Sequence, residues 1–164
     1  MSEVQVTLVG QEEVIATLNR LVGAMDDATP AMFDVGEYLI ASTRDRFLRG
    51  ESPDGVAWEP TSQTTLQAYL DRGDRADPRP LFGPSGRLHS EILSFPDATS
   101  VTVGSALIYA AVMHYGASQG EFGTSSRGGP IPWGDIPARP FLGISAEDGR
   151  QILAILNEYL QGVI

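Results

Sequence analysis

The sequence predicts an α+β fold in which a small, mainly antiparallel sheet packs against several helices. Apolar residues recur with the period of a helix in three long segments, whereas two short stretches show the alternation typical of a strand. Glycine and proline concentrate in the middle of the 164-residue chain, where they predict two long irregular loops at residues 72–87 and 117–135. We expect residues 1–164 to form a single domain that carries these two extended loops.

The first half of the chain predicts one strand followed by two long helices. Residues 3–9 alternate between apolar and polar side chains, as in a half-buried strand. Residues 11–25 place their apolar side chains on one helical face: Val14, Ile15, Leu18, Leu21, Val22 and Met25. Thr29 is predicted to N-cap a second helix, with Pro30 at its first position and Gly50 at its end. Its inward residues are predicted to be Met32, Val35, Leu39, Ile40 and Phe47.

The second half predicts shorter elements and one last long helix. We expect first a short helix that is capped by Thr61 or Ser62 and reaches Asp71, and then a short helix or a passage from helix to strand at 88–95. A strand at 98–104 and a buried short helix at 109–115, ended by Gly116, are predicted to follow. The last predicted strand is short and spans residues 141–144. Ser145 then caps the final helix, with Asp148 three residues later as in a capping box. The apolar face of this helix is predicted to hold Ile152, Leu153, Leu156, Tyr159 and Leu160.

The composition excludes several classes of function. The net charge of −10 argues against a protein that binds nucleic acid through phosphates or that binds an anionic membrane surface. All eleven basic residues are arginine, a side chain that suits buried or interfacial pairing. The absence of cysteine excludes disulfides, a thiol nucleophile and cysteine-ligated metals. We see no signal peptide and no apolar stretch that approaches a membrane span, and expect no membrane partner.

Catalytic and cofactor motifs are weak in this sequence. Only His89 and His114 could serve a catalytic triad or a zinc site, and His114 lies in an apolar run without a carboxylate at metal-ligand spacing. Ser90 follows His89 directly, but no G-x-S-x-G turn surrounds it. The glycine-rich loop lacks the G-K-[ST] ending of a phosphate loop. We therefore expect no enzyme, cofactor or metal, and keep as an alternative a small hydrolase that uses Ser90 with His89 or His114.

The run I-P-A-R-P-F-L-G-I-S, residues 136–145, predicts a rigid structural joint. Proline fixes φ and lacks an N–H donor, so Pro137 and Pro140 hold the run extended. Phe141 is expected to anchor in the core. Arg139 is then presented on a stiff segment, where we expect it to pair with a carboxylate or a backbone carbonyl.

Four stretches together resemble the phage virion morphogenesis or tail-completion family of Mu-like and related contractile-tailed phages. They are F-L-R-G-E-S-P-D-G-V-A-W-E-P (47–60), S-G-R-L-H-S-E-I (85–92), V-T-V-G-S-A-L-I-Y-A-A-V-M-H-Y-G (101–116) and I-P-A-R-P-F-L-G (136–143). Ser85 stands where that family usually has Thr, Glu91 precedes Ile92 where it usually has Ser, and Tyr115 stands where a polar residue is common. The resemblance covers about residues 30–160 and rests on the order and spacing of the stretches.

The resemblance implies a non-enzymatic structural protein at the neck of the virion, where it completes the tail and joins it to the head. It implies a homo-oligomeric ring, with six copies expected, around a channel through which DNA passes without specific binding. The expected partners are other copies and other neck and tail proteins such as terminator, tube or connector. The expected location is the virion, after assembly in the host cytoplasm. A tail terminator ring and, in another class, a soluble adaptor or toxin-like binding domain remain alternatives.

Aromatic residues and arginine are enriched at interface anchors, which directs attention to the two loops and the 136–143 run. The candidate residues for a subunit interface or structural joint are Trp58, Arg87, Tyr109, His114, Trp133, Pro137, Arg139, Pro140 and Phe141. From the sequence we expect Arg139→Ala to weaken assembly more than folding of the isolated subunit.

Overall fold

A computed structural model describes residues 11–163 and confirms the α+β prediction. The described elements are α1 (Gln11–Asp26), α2 (Thr29–Arg49), α3 (Gln63–Asp71), α4 (Arg87–Ser90), β1 (Leu93–Pro96), β2 (Val101–Gly104), α5 (Ala110–Tyr115) and α6 (Ala146–Gln161). The strand predicted at residues 3–9 lies outside the described residues. The predicted loop at 72–87 contains no regular helix or strand until α4 begins at Arg87, its last residue. The predicted loop at 117–135 contains none along its whole length.

Helix α2 is the element around which the described fold packs. Most of its predicted inward residues are buried, and the sheet, α4 and α6 all contact it. The helix ends as predicted, because Gly50 adopts a left-handed conformation with φ of 70° and donates its N–H to the Arg46 carbonyl. Its start differs from the prediction by one residue. Thr29 is already the first helical residue, because Ala28 is the N-cap and its carbonyl accepts from the Met32 N–H at 2.9 Å.

The sheet is one antiparallel hairpin that lies against α2. Leu93 pairs with Gly104 and Pro96 with Val101. A Cβ on Gly36 of α2 would lie only 2.9 Å from the Ser94 side chain, so glycine permits this close contact of helix and sheet. On β1 the residues that alternate with Ser94 point the other way, and Leu93 and Phe95 are exposed on the outer face.

An ion pair between Arg46 of α2 and Asp148 of α6 is buried in the middle of the fold, with both side chains at most 2% exposed. Arg46 also donates to the carbonyls of Phe141 and Gly143, at 3.3 and 3.0 Å. Ser145 and Asp148 form the predicted capping box, so one carboxylate both starts α6 and neutralises Arg46.

Hydrogen bonds hold the Asp148 carboxylate in its charged form. Burial by itself raises the pKa of Asp148, but hydrogen bonds from Ser42 and Ser145, together with the Arg46 charge, outweigh burial and leave the pKa below its ordinary value. The Ser42 hydroxyl donates at 2.6 Å and the Tyr38 hydroxyl at 3.1 Å. The ionised carboxylate is therefore the form that the fold stabilises.

An aromatic cluster centred on Phe47 fills the core beside this ion pair. The Phe47 ring meets Trp58 edge-on at 5.5 Å between centroids and is tilted against Phe141 at 5.4 Å. Ile40, Leu88, Ile92 and Ala110 complete the buried cluster. Edge-to-face packing of this kind adds to the stabilisation that burial of the rings provides.

Two predicted elements are wrong in form. Residues 141–144 do not form a strand, because the Phe141 and Gly143 carbonyls are taken by the Arg46 guanidinium rather than by a sheet partner. Helix α5 forms and Gly116 ends it, but only Ala110 within it is buried and Tyr115 is 78% exposed. The apolar run therefore reflects a surface helix that carries apolar residues rather than an interior one.

Two long helices have the predicted positions but expose apolar residues. Most of the predicted apolar face of α1 is exposed. On α6 the predicted face is partly buried except for Leu153, which is 62% exposed. Ser62 caps α3 as predicted, with its hydroxyl accepting from the Thr65 N–H at 3.2 Å.

We expect Asp148→Asn to destabilise the protein by about 3–5 kcal/mol, because it leaves the buried Arg46 without a countercharge while keeping the shape of the side chain. Adding Arg46→Met should recover much of that loss, since the buried charge is then removed as well. Arg150→Ala, which breaks the exposed pair with Glu147, is the matched control and should cost at most about 1 kcal/mol. Urea unfolding of the four proteins measures the free energies, and a double variant less stable than Asp148→Asn would contradict this account.

Candidate functional site

Backbone hydrogen bonds tie the 136–143 run to the loop and helix that precede it. Ile136 exchanges two hydrogen bonds with Ala117, at 2.8 and 2.9 Å, and the Arg139 N–H donates to the Met113 carbonyl of α5 at 3.0 Å. Gly116 makes this approach possible. It has φ of 77°, and a Cβ there would lie 2.7 Å from the Ile136 carbonyl oxygen.

The Arg139 side chain points into its own chain and is only 9% exposed. Its Nε donates to the Glu59 carbonyl at 2.8 Å and its Nη2 to the Pro60 carbonyl at 3.3 Å. Of the two partners expected from the sequence, the backbone carbonyl is therefore the one observed. Burial lowers the pKa of the Arg139 guanidinium, and the nearby Glu59 charge opposes this shift.

The rest of the run is fixed by contacts with the core. The Trp58 indole N–H donates to the Pro140 carbonyl at 3.0 Å. The Phe141 N–H donates to His114 Nδ1 at 3.3 Å, and the Phe141 ring is fully buried. Consequently Trp58, His114, Pro140, Phe141 and Arg139 all meet at this run.

A cleft of about 470 Å³ opens beside this run and collects four of the predicted residues: Tyr109, Trp133, Pro137 and Arg139. Tyr69 and Phe82 add further aromatic rings to the wall. Trp133 is 75% exposed at the cleft. Arg87 lies apart from the cleft lining, on α4, and pairs with Glu91 at 2.7 Å.

The histidines occupy packing positions. His89 stacks on Phe82 with centroids 5.0 Å apart and meets Phe47 edge-on. Burial lowers the pKa of both His89 and His114, and for His89 the charges of nearby arginines add to the shift. The Ser90 hydroxyl donates to the Arg87 carbonyl at 3.1 Å. Within residues 11–163 neither histidine is hydrogen-bonded to Ser90, so the hydrolase alternative gains no support from the geometry.

Arg72 and Arg79 of the 72–87 loop are paired within the loop. Arg72 pairs with Asp74 at 3.0 Å, and Arg79 pairs with the buried Asp77 at 2.6 Å while its guanidinium lies 3.8 Å above the Phe82 ring. Hydrogen bonds from Arg79, opposed by burial, lower the pKa of Asp77 to about 2. This loop is thus fastened to the core through Phe82.

The 117–135 loop is folded back on itself. Phe122 donates its N–H to the Ile131 carbonyl at 2.7 Å, and Ile131 donates to the Gly123 carbonyl at 2.8 Å. The Gln119 N–H donates to the Asp135 carboxylate at 2.7 Å. Phe122 and Trp133 nevertheless remain 53% and 75% exposed, so this loop presents aromatic surface on an internally bonded backbone.

The described part of the chain holds no group of three or more His, Cys, Asp or Glu side chains placed to bind a metal ion. Every described helix is too short or too polar to cross a bilayer.

Sequence reasoning missed the burial of Arg46 and Asp77. Arg46 carried a usable signal, because it lies on the buried face of α2 four residues after Ser42 and next to Phe47. Asp77 carried a weaker one, namely its position two residues before Arg79 in a turn-rich segment.

The model of the phage virion morphogenesis family matches residues 9–161, nearly the whole chain. The chain belongs to the phage virion morphogenesis family. For this virion morphogenesis protein, membership indicates a structural or assembly role in the virion rather than a catalytic one. No curated protein and no solved structure matches the chain. The resemblance inferred from the four sequence stretches is thereby confirmed.

We expect Arg139→Ala to destabilise the isolated subunit by about 1–3 kcal/mol, because it removes a buried side chain and its two hydrogen bonds to the Glu59 and Pro60 carbonyls. This revises the expectation from the sequence that assembly would suffer more than folding. Arg87→Ala is the matched control, since its ion pair with Glu91 is exposed to solvent and should contribute much less to stability. Thermal and urea unfolding of both variants measure the difference, and equal stability of the two would contradict the role given to Arg139.

We expect Asp77 to contribute to the loss of stability in acid. Its folded pKa of about 2 lies below the ordinary 3.8, so its stabilisation is complete above about pH 3.8 and is lost as the pH falls toward 2. Asp77→Asn should flatten the dependence of the unfolding free energy on pH in this window. Asp34→Asn removes a charge from an exposed position on α2 and serves as control. An unchanged slope for Asp77→Asn would refute the assignment.

Proposed function

We propose that this chain is a structural virion protein of the phage neck or tail top, which completes the tail and joins it to the head. The observation that carries the proposal is the family match over residues 9–161. The proposed form is a single tail-completion-like domain that assembles with copies of itself, six being the expected number, into a ring around the DNA channel.

The surface of the subunit supports an assembly role. Phe122, Ile131 and Trp133 are exposed on the folded-back 117–135 loop, where aromatic side chains can serve as interface anchors. We propose that this loop and the adjoining cleft contact neighbouring copies or other neck and tail proteins such as terminator, tube or connector. In this proposal the hydrogen-bonded 136–143 run acts as the joint that holds the cleft wall in place.

The charge of the chain suits a channel through which DNA passes. Each copy carries a net charge of −10, so that six copies would carry about −60. Surfaces of like charge repel the phosphate backbone, and DNA would slide past an acidic lumen without specific binding. As a component of the neck, the protein is also proposed to be part of the mature virion after assembly in the host cytoplasm.

Electron microscopy of phage particles made without this protein tests the proposed function. We expect complete heads and separate tails of normal length, with joined particles restored when the wild-type chain is supplied from a plasmid. Overlong tails would instead indicate a tail terminator. Normal joined particles in its absence would refute a role in tail completion or joining.

A further inference from the structure

The cleft beside the 136–143 run has exposed aromatic rings and free hydrogen-bond donors. Two of its rings, Tyr109 and Trp133, are 37% and 75% exposed. The Trp58 indole N–H is used inside the fold, on the Pro140 carbonyl. The Trp133 indole N–H and the Tyr109 hydroxyl, by contrast, donate to no acceptor among residues 11–163. The cleft therefore offers a ligand two exposed rings, each of which carries a donor.

The backbone carbonyls of the cleft wall, unlike these donors, are already engaged. Arg139 donates to three of them, twice from its side chain and once from its N–H, and Ala117 and Gln119 donate to the others. The engaged carbonyls are those of Glu59, Pro60, Met113, Trp133 and Ile136. A ligand backbone with many N–H groups would find few acceptors here, whereas a backbone that presents carbonyls would find donors. Proline suits this wall, since it has a carbonyl and no N–H.

The charged residues of the cleft lining favour a basic side chain on the ligand. They are Glu59, Asp135 and Arg139, so that two carboxylates and one guanidinium give the lining a net charge of −1. Glu59 and Asp135 are exposed, whereas Arg139 is only 9% exposed and directs two of its nitrogens to carbonyls. A ligand that enters the cleft therefore meets the carboxylates before it meets the guanidinium.

Two further arginines lie beside the cleft without changing this balance. Arg72 is paired with Asp74 and Arg79 with Asp77, so each of them is neutralised within its own loop. Their guanidinium groups lie over two other rings of the cleft lining, those of Tyr69 and Phe82, at 5.3 and 3.8 Å from the ring centroids. A ligand thus finds its aromatic contacts at the two exposed rings rather than at these covered ones.

We propose that this cleft binds an extended, proline-containing segment of another virion protein, with a basic residue beside the prolines. The proline rings lie on the faces of Tyr109 and Trp133, and the carbonyls of the segment accept from the donors of the same two side chains. The basic side chain pairs with Glu59 or Asp135. Proline-rich segments are extended before they bind, so that little conformational freedom is lost on docking. The inference rests on the proposed assembly function and names the kind of partner segment that the cleft takes.

The first test titrates the purified full chain with three acetylated and amidated peptides, followed by calorimetry. The probe is R-P-P-L-P-P, and its controls are E-P-P-L-P-P and R-A-A-L-A-A. We expect saturable binding of the probe. The glutamate control should bind about tenfold more weakly because a repulsive charge replaces an attractive one, and the alanine control about tenfold more weakly because the ring contacts are lost. No binding of the probe, equal binding of all three peptides, or tighter binding of the glutamate peptide would overturn the inference.

Substitutions of exposed residues locate the bound peptide. We expect Trp133→Ala to weaken binding of the probe about tenfold. Phe122→Ala is the matched control, because Phe122 is a 53% exposed aromatic residue of the same loop that lies outside the cleft lining, and it should leave the affinity unchanged. Circular dichroism checks that both variants retain the fold. Equal effects of the two substitutions would place the peptide elsewhere and overturn the inference.

Glu59→Gln tests the charge of the cleft and leaves the Glu59 carbonyl that Arg139 uses in place. We expect it to weaken binding of R-P-P-L-P-P about two- to fivefold, as the loss of one exposed ion pair does, and not to weaken binding of E-P-P-L-P-P. Equal weakening of both peptides would contradict the pairing of the basic residue with this rim.

Peptide binding by the purified chain and the particles formed without the chain are independent measurements. Unjoined tails in the deletion, together with a cleft that binds no proline peptide, would overturn this inference and leave the proposed function standing. Normal joined particles, together with specific peptide binding, would refute the role in tail completion and leave the cleft as a peptide site.

Discussion

The buried pair of Arg46 and Asp148 is the interaction on which the rest of the fold depends. It joins the central helix α2 to the first turn of α6, and through the Phe141 and Gly143 carbonyls it fixes the end of the 136–143 run. Two charges in an interior are tolerated only when their hydrogen-bonding groups are well satisfied, and here Ser42, Tyr38 and the Ser145 N–H complete the set. A hydrophobic pair could hold these elements together with less demand on geometry, but it would not fix their relative position so narrowly.

Local patterns allowed much of this fold to be predicted, and long-range contacts account for what was missed. The ends of α2, α3 and α6 follow from Gly50, Ser62 and the Ser145 capping box, because capping involves residues within one turn. The Arg46–Asp148 pair joins residues 102 positions apart, and the sequence around either residue gives no indication of its partner. For the same reason the extended 141–144 segment read as a strand, although its carbonyls bond to a guanidinium.

The candidate site shows the same division between local and long-range information. The two prolines of the 136–143 run predict an extended segment, and Phe141 at its end is buried as expected. The sequence of the run does not indicate that Arg139 donates to the Glu59 and Pro60 carbonyls, because these lie about 80 positions earlier in the chain. The stretches that carry the family resemblance therefore supply several internal contacts of the fold, whereas residues outside them, such as Trp133 and Val22 of α1, are exposed on the surface of the subunit. Periodicity reveals that a helix has an apolar face but does not reveal what covers it.

The two buried arginines respond differently to protons, because they have different kinds of partner. Arg46 depends on a carboxylate, and protonation of Asp148 in acid leaves it with a buried charge that is no longer neutralised. Arg139 is held by carbonyls, which do not titrate in that range. The 136–143 run is thus held by an acid-sensitive contact at Phe141 and Gly143 and by an acid-resistant one at Arg139. Acid would therefore weaken the contact between α2 and α6 while leaving the hydrogen bonds of Arg139 in place.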